Sequence, residues 1–154
     1  MKDKPETLDS AKFRQMGRVC ACFSLRRASR AVTRLYDDFL RPSGLRTTQC
    51  STLIATKLQG PASLTKLAEL TVTERTTLTR NLTVLQKKGL IHIEPGKDRR
   101  ERHVDITEKG EEALAAAFPL WEAAQAHVRN ELGEDRMACL REHLSEIIYL
   151  SRQE

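Results

Sequence analysis

The fold is decided by residues 63–106, SLTKLAELTVTERTTLTRNLTVLQKKGLIHIEPGKDRRERHVDI. Apolar residues recur at helical spacing in two runs, and the second extends from Thr73, which can cap a helix, to Lys88. After Gly89 the apolar period shortens to two residues, which predicts two strands joined by the charged loop EPGKDRRE (94–101). The stretch therefore predicts two helices across a tight turn, followed by a hairpin with a basic tip.

The second helix combines an apolar face with a polar one. Leu78, Leu82 and Leu85 stack at i, i+4 and i+7, so this face packs on a core. The opposite face carries short hydroxyl and basic side chains: Thr73, Thr76, Thr77, Arg80, Thr83 and Lys87. Threonines suit thymine methyls and base edges in a major groove, and an arginine suits guanine acceptors or a phosphate. The expected DNA contacts on this helix are Thr73, Thr76, Thr77 and Arg80.

The hairpin tip is the second candidate contact with nucleic acid. Its basic side chains can lie along the adjacent minor groove or the phosphate backbone. They are Lys97, Arg99, Arg100 and Arg102. In this order the elements make a winged helix-turn-helix, so the predicted fold is mainly α with a small β-hairpin wing.

The rest of the chain is predicted to be helical. Good helix formers extend from Ser10 to about Arg41, as one long helix or two joined ones, and a further helix fits residues 47–58. Thr107 can cap the next helix, and Gly133 separates a final one.

These outer helices are expected to form a helical dimerisation region from residues 1–45 and 107–154, around a DNA-binding domain at 46–106. The final helix carries an apolar stripe that one small domain cannot cover, at Met137, Leu140, Leu144, Ile147 and Ile148. Because burying each such side chain contributes roughly 1.5–3 kcal/mol, we expect a homodimer.

Charge is distributed unevenly along the 154 residues, although the net charge is only +5. Residues 1–60 carry 12 basic and 5 acidic side chains, residues 61–106 carry 9 and 6, and residues 107–154 carry 5 and 10. A basic first two-thirds and an acidic last third predict that one part meets a polyanion, while the other stays away from it or pairs with the basic N-terminal segment. The alternative is ordinary charge segregation on solvated helices.

Composition excludes several classes of protein. No segment is apolar enough to span a bilayer, and residues 1–10 lack the apolar core of a signal peptide, so we expect a soluble, cytoplasmic protein with no membrane partner. Four cysteines are too few for a secreted disulfide scaffold, and they are expected to be free thiols.

Five motifs within residues 67–110 resemble the MarR family of bacterial transcriptional regulators. In chain order they are LAEL (67–70), TTLTR (76–80), LQKKGLI (85–91), DRR (98–100) and ITEKG (106–110). The resemblance implies an obligate homodimer whose first and last helices intertwine, and whose two winged domains read a pseudo-palindromic operator in double-stranded DNA. It also implies that Asp98 orients a wing arginine, with Arg99 or Arg100 contacting the DNA. Repression by promoter occlusion is the expected mode.

The signal is expected at Cys22 or in a ligand pocket. Residues around Cys22 resemble the peroxide-sensing branch of the family, in which tyrosines of the partner subunit assist a helix cysteine. Cys22 and Tyr36 match that pattern, whereas Arg26 and Thr47 replace two further tyrosines. Arg18 and Arg26 lie four residues on either side of Cys22, and positive charge favours the thiolate.

The partner of an oxidised Cys22 is left open. On one continuous helix Cys20 and Cys22 would point about 200° apart, so they are not expected to bridge. A resolving thiol would come from Cys50, Cys139, the other subunit or a small molecule. Alternatively, Cys22 is a small buried hydrophobe at the dimer seam.

The competing sensor is an apolar cleft with a cationic rim, which suits a small aromatic acid. Besides Tyr36, its candidate residues are Arg30, Arg34, Phe39, Phe118 and Trp121. The alternative is that these aromatic residues are ordinary core.

No enzyme is expected, because the sequence has no glycine-rich phosphate loop, nucleophile elbow or paired-carboxylate pattern. A thiol-dependent peroxidase and a dimeric interaction module without DNA binding are the alternatives, and the retained basic residues argue against the module. The four histidines, His92, His103, His127 and His143, form no tight ligand set with a cysteine. Neither a metal nor another cofactor is therefore expected.

Overall fold

The computed structural model of the protein describes residues 9–96 and 101–150. Its elements are α1 (Ser10–Val19), α2 (Ala21–Leu40), a 3-10 turn (Arg41–Ser43), α3 (Thr47–Gln59), β1 (Ala62–Ser63), α4 (Leu64–Leu70), α5 (Arg75–Lys87), β2 (Ile91–Pro95), β3 (Arg102–Ile106), α6 (Glu108–Leu132) and α7 (Glu134–Leu150). The mainly helical fold with a small β wing is confirmed. No helix in the described ranges is long and apolar enough to cross a membrane.

The chain divides into two compact units within α2, between Leu35 and Tyr36. In the first unit, α1 is capped by Asp9, whose carboxylate accepts the Lys12 N–H at 2.8 Å. The helical run breaks at Cys20, whose φ of −70° and ψ of 110° are extended. Of the two expected arrangements, the structure therefore has two helices.

The core of the second unit is built mainly from leucines of the helices that precede the wing. They are spaced at helical intervals, so each helix buries one side against the others. The most deeply buried large side chains are Leu40, Leu53, Leu67, Leu78, Leu82, Leu85 and Val104. The leucines that predicted the α5 core face thus occupy the centre of the winged domain.

The wing is an antiparallel sheet with the strand order β1-β3-β2. β2 and β3 pair as predicted, with Ile91 opposite Ile106 and Ile93 opposite Val104. β1 adds Ala62 opposite Val104, a strand that the sequence did not predict. A strand of two residues is too short to show alternation in the sequence, and β1 is recognised only by its pairing with β3.

Helix α6 begins tightly against the end of α5 and the start of the wing. Thr107 caps it as predicted, by accepting the Gly110 N–H at 3.1 Å. The Thr107 hydroxyl also donates to the Gly89 carbonyl at 2.7 Å. A Cβ added at Gly110 would lie 2.1 Å from the Leu90 carbonyl oxygen, so the approach of the two backbones requires glycine. These contacts fix the start of α6 relative to the end of α5 and the start of β2.

Candidate nucleic-acid interface

Helix α5, which we call the recognition helix because its outer face is predicted to contact DNA, presents mainly polar side chains outward. Its apolar side is buried at Leu78, Leu82 and Leu85. The residues predicted for the outer face are all exposed: Thr76, Thr77, Arg80, Thr83 and Lys87. One of these hydroxyl groups already has a partner within the helix: Thr83 Oγ1 donates to the Thr79 carbonyl at 2.8 Å. The structure therefore places Thr76, Thr77 and Arg80 together on one exposed helical face.

Thr73 does not cap this helix, contrary to the prediction. Helix α5 begins at Arg75, and its N-cap residue Glu74 makes no side-chain capping bond. The Thr73 N–H instead donates to the Ala68 carbonyl at 2.9 Å, and its hydroxyl donates to the Thr71 carbonyl at 3.0 Å. Thr73 is half-buried because it completes the end of α4 rather than the start of α5.

The turn between the two helices contains a backbone strain. Val72 has a φ of +48°, in the left-handed region that favours glycine. Its side chain is 58% exposed, so burial does not account for the choice of valine. A shallow cleft beside this turn is lined by residues of α4 and of the start of α5, among them Lys66, Glu69 and Arg75.

Asn81 holds the recognition helix against α3, a role that the sequence analysis missed. Its amide donates to the Thr48 carbonyl at 3.0 Å and to the Thr52 hydroxyl at 2.6 Å. Thr52 is buried and itself donates to the Thr48 carbonyl at 2.9 Å. The sequence does place the amide of Asn81 between the leucine face and the polar face of α5, a position from which it could have been predicted to bond a neighbouring helix.

Two further side chains in the same unit hydrogen-bond the segment around the start of α3. Asp37, near the end of α2, accepts the N–H of Thr47 at 2.7 Å and its hydroxyl at 2.8 Å. Lys88, just after α5, donates to the Gly44 carbonyl at 2.8 Å. The end of α2 and the end of the recognition helix are thus both hydrogen-bonded to the segment that leads into α3.

The wing residues are only partly described. Arg102 is exposed on β3 opposite Pro95, at the end of the hairpin nearest the tip. Lys97, Asp98, Arg99 and Arg100 lie outside the described residues. Near the tip, His103 Nε2 lies 3.6 Å from a Glu101 carboxylate oxygen, and within β2 His92 Nε2 lies 3.9 Å from a Glu94 carboxylate oxygen.

The surroundings of Cys22 differ from the expectation in two ways. Because the helix breaks at Cys20, Arg18 belongs to α1 and Cys22 to the first turn of α2, so only Arg26 is four residues from Cys22 on the same helix. Cys20 itself precedes α2, and its thiol accepts the Phe23 N–H at 3.4 Å. The 200° argument against a Cys20–Cys22 bridge therefore does not apply. Cys22 is exposed in the single chain.

Tyr36 and Cys50 belong to the second unit. The Tyr36 hydroxyl donates to Gln125 Oε1, and burial raises its pKa. Burial raises the pKa of the Cys50 thiol to about 11, and the Asp37 carboxylate adds to this shift. Cys50 is therefore a protonated core thiol at neutral pH, which makes it a poor resolving nucleophile.

The candidate pocket residues fall in different surroundings. Arg30 and Arg34 line a shallow cleft on α2 in the first unit, together with Ser24, Arg27, Ala28 and Ala31. In the second unit Phe118 stacks on Trp121, with ring centroids 5.7 Å apart, and Phe39 contacts His127 at 5.6 Å. Phe118 and Trp121 keep substantial exposure, so they are not simple core residues.

Comparisons with known proteins agree on one family. The family model described as MarR family matches residues 43–101. A solved structure of the Mycobacterium tuberculosis transcriptional regulator MosR in complex with DNA is 40% identical, with a TM-score of 0.75 over 86% of this chain and 98% of that chain. MosR in a second structure is 36% identical, with a TM-score of 0.78 over 88% of this chain and 97% of that chain. An uncharacterised HTH-type transcriptional regulator of Bacillus cereus is 29% identical over 73% of this chain and 76% of its own length.

Proposed function

Since the chain belongs to the MarR family of transcriptional regulators, we propose that it is a homodimeric repressor that binds a pseudo-palindromic operator and is released by a chemical signal. The observation that carries the proposal is the exposed face of α5, where Thr76, Thr77 and Arg80 lie opposite the buried leucines. Helices of this width fit a major groove and read base edges with such side chains.

The division of contacts follows from chemistry. Thr76 and Thr77 meet thymine methyls or base edges, Arg80 meets guanine or a phosphate, and half-buried Thr73 contributes at the edge of the helix. The wing contributes positive charge along the backbone or minor groove through Lys97, Arg99, Arg100 and Arg102, with Asp98 orienting an arginine. Selection from a randomised duplex library tests the proposal. It should enrich an inverted repeat with half-sites about 10 base pairs apart, and enrichment of no common sequence would contradict it.

Exposed apolar surface supports the homodimer, with residues 1–45 and 107–154 as the dimerisation region. On α1 and α2 these residues include Phe13, Met16, Val19, Phe23 and Val32. On α7, Leu140, Ile147 and Ile148 are each 42% exposed. A second copy would remove both sets from water. Sedimentation equilibrium should give twice the monomer mass of 17.5 kDa, and a monomer mass at micromolar concentration would refute this part.

Oxidation of Cys22 is the proposed signal. The thiolate would attack the terminal oxygen of an organic hydroperoxide, forming a sulfenic acid and releasing an alkoxide that becomes the alcohol. The exposure of Cys22 and the nearby positive charge of Arg26 support this step. The resemblance to the peroxide-sensing branch implies that Tyr36 of the partner subunit assists the cysteine. Cys22→Ser should bind DNA normally but resist release by cumene hydroperoxide. Release that is as complete as in the wild type would remove the redox role.

A small aromatic acid is the second candidate signal, favoured by the exposure of the stacked Phe118–Trp121 pair. Under this hypothesis Phe39, in the same compact unit, also lines the site. A thermal-shift screen of aromatic acids, followed by an operator-release assay with each hit, distinguishes it from oxidation. No hit with the wild type, or a hit unaffected by Trp121→Ala, would reject the pocket.

Peroxide consumption separates a sensor from a thiol-dependent peroxidase. A sensor consumes peroxide in stoichiometric amounts, whereas an enzyme with a reductant turns over many times. We expect a single stoichiometric burst per Cys22. Sustained turnover would instead favour the enzymatic alternative.

A further inference from the structure

Three side chains on α7 form a line of contacts that the proposed function does not use. Cys139 Sγ lies 3.4 Å from His143 Nε2, and His143 Nδ1 lies 3.4 Å from Glu146 Oε2. The spacing of four and three residues places them on one side of the helix. Cys139 is exposed, and the side chains of His143 and Glu146 are 65% and 66% exposed, so reagents can reach all three.

The order of these contacts fits an activated thiol. When the neutral imidazole donates its Nδ1–H to Glu146, its Nε2 has no proton and can accept one from the Cys139 thiol. A nucleophile that faces a base, with the base oriented by a third group, is the arrangement that activates cysteine and serine nucleophiles. The carboxylate also stabilises the imidazolium that forms after proton transfer.

This set of residues, which we call the α7 thiol relay (Cys139, His143 and Glu146), lies on a different side of α7 from its apolar stripe. At 100° per residue it lies roughly 120° around the helix from the apolar stripe of Met137, Leu140, Leu144, Ile147 and Ile148. A second copy that covers the stripe would therefore leave the relay at the flank. Among the described cysteines, Cys50 is buried with a pKa of about 11, whereas Cys139 faces an imidazole.

We propose that the α7 thiol relay makes Cys139 a site of mixed-disulfide formation with small-molecule disulfides. His143 takes the proton of Cys139, and the thiolate attacks one sulfur of the disulfide R–S–S–R. A Cys139–S–S–R bond forms, the R–S–S–R bond breaks, and the leaving thiolate takes the proton back from His143 as R–SH. Cys139 is oxidised and the small disulfide is reduced, so the reaction needs no further reactant.

The test uses the full-length chain with Cys20→Ser, Cys22→Ser and Cys50→Ala, so that Cys139 is the one remaining thiol. Its reaction with 2,2′-dithiodipyridine at pH 7 releases pyridine-2-thione, whose absorbance gives the rate. His143→Gln should slow the reaction by about tenfold or more, because the base is lost. Glu146→Gln should slow it several-fold. Glu142→Gln, which removes a carboxylate one turn from Cys139, is the matched control and should leave the rate within twofold.

A rate that His143→Gln leaves within twofold of the parent would overturn the proposal. Circular dichroism of each variant checks that α7 is retained. If the triple cysteine variant does not fold, the same substitutions are made in the wild-type chain and the Cys139 adduct is quantified by peptide mass spectrometry. Long-range nitrogen–proton NMR spectra give a second readout: His143 should hold its proton on Nδ1, and Glu146→Gln should weaken this preference. A His143 that is protonated on Nε2 when neutral would contradict the relay.

Discussion

The side-chain amide of Asn81, on the recognition helix, donates to the buried hydroxyl of Thr52 on α3 at 2.6 Å. The same amide reaches the Thr48 carbonyl at 3.0 Å, so both contacts go to one neighbouring helix. Leucine packing holds α5 in the domain, but the hydrophobic effect behind it has no preferred direction. Directional hydrogen bonds resist these motions, and therefore Asn81 sets how the polar face of α5 is presented.

Asn81→Ala should lower the free energy of unfolding by about 1–2 kcal/mol, because two hydrogen bonds are lost, one of them to the buried hydroxyl of Thr52. Urea denaturation measures this change. Thr83→Ala, on the exposed side of the same helix, is the control and should change stability by less than about 0.5 kcal/mol. Equal effects of the two substitutions would show that Asn81 has no special anchoring role.

Gly110→Ala should destabilise the winged domain by more than about 2 kcal/mol, because the new Cβ overlaps a neighbouring backbone. The added atom would lie 2.1 Å from the Leu90 carbonyl oxygen and 2.7 Å from Ile106 Cγ1. Gly17→Ala is the control, since a Cβ at this position in α1 meets nothing within 4 Å. Thermal unfolding should show a large loss for the first substitution and no loss for the second. A stable Gly110→Ala protein would mean that the α6 approach is not this close.

Val72→Gly should stabilise the fold by about 0.5–1 kcal/mol. The substitution relieves the left-handed strain, and this gain exceeds the entropic cost of the more flexible glycine in the unfolded chain. Val72 is largely exposed, so little apolar burial is lost. Val72→Ala keeps a Cβ in the left-handed region and should give a smaller gain in chemical denaturation. If glycine is less stable than alanine, the strain at this turn is not significant.

The Cys50 thiol should contribute a pH-dependent part of stability above neutrality. Its pKa is about 11 in the folded chain against an ordinary value of 9.0, so between these values the unfolded chain loses this proton more readily than the folded one. The stabilising contribution is present below pH 9 and falls as the pH rises toward 11. The difference in free energy of unfolding between the wild type and Cys50→Ala should change accordingly across this range. A difference that is constant with pH would contradict the burial of this thiol.

Periodicity correctly predicted those parts of the fold in which the polarity of each residue matches its burial. The buried side of α5 was predicted from the spacing of Leu78, Leu82 and Leu85, and its exposed face was predicted as the opposite side. The same reasoning located β2 and β3, because alternating residues of a half-buried strand meet different surroundings. Thr107 was identified as a cap because its hydroxyl bonds to the N–H only three residues later.

Features that depend on competition between local bonds were not predicted correctly. Thr73 is a suitable cap by residue type, yet its N–H and hydroxyl both bond to the preceding helix end. Cys20 stands in a run of good helix formers, and nothing in its residue type indicates the break. Asn81 donates to acceptors on α3, about 30 residues earlier in the chain. Helical spacing alone does not predict such contacts between residues distant in sequence.

Arg80→Ala tests most directly whether the exposed face of α5 reads DNA sequence. The measurement is fluorescence anisotropy with the selected inverted repeat and a scrambled duplex at one fixed salt concentration. Arg75→Ala removes the same charge from α5, about 140° around the helix from Arg80, and serves as the control. Arg80→Ala should lower the ratio of specific to non-specific affinity by about tenfold, whereas Arg75→Ala should leave the ratio within about twofold. An unchanged ratio in Arg80→Ala would contradict the assignment of this face to sequence reading.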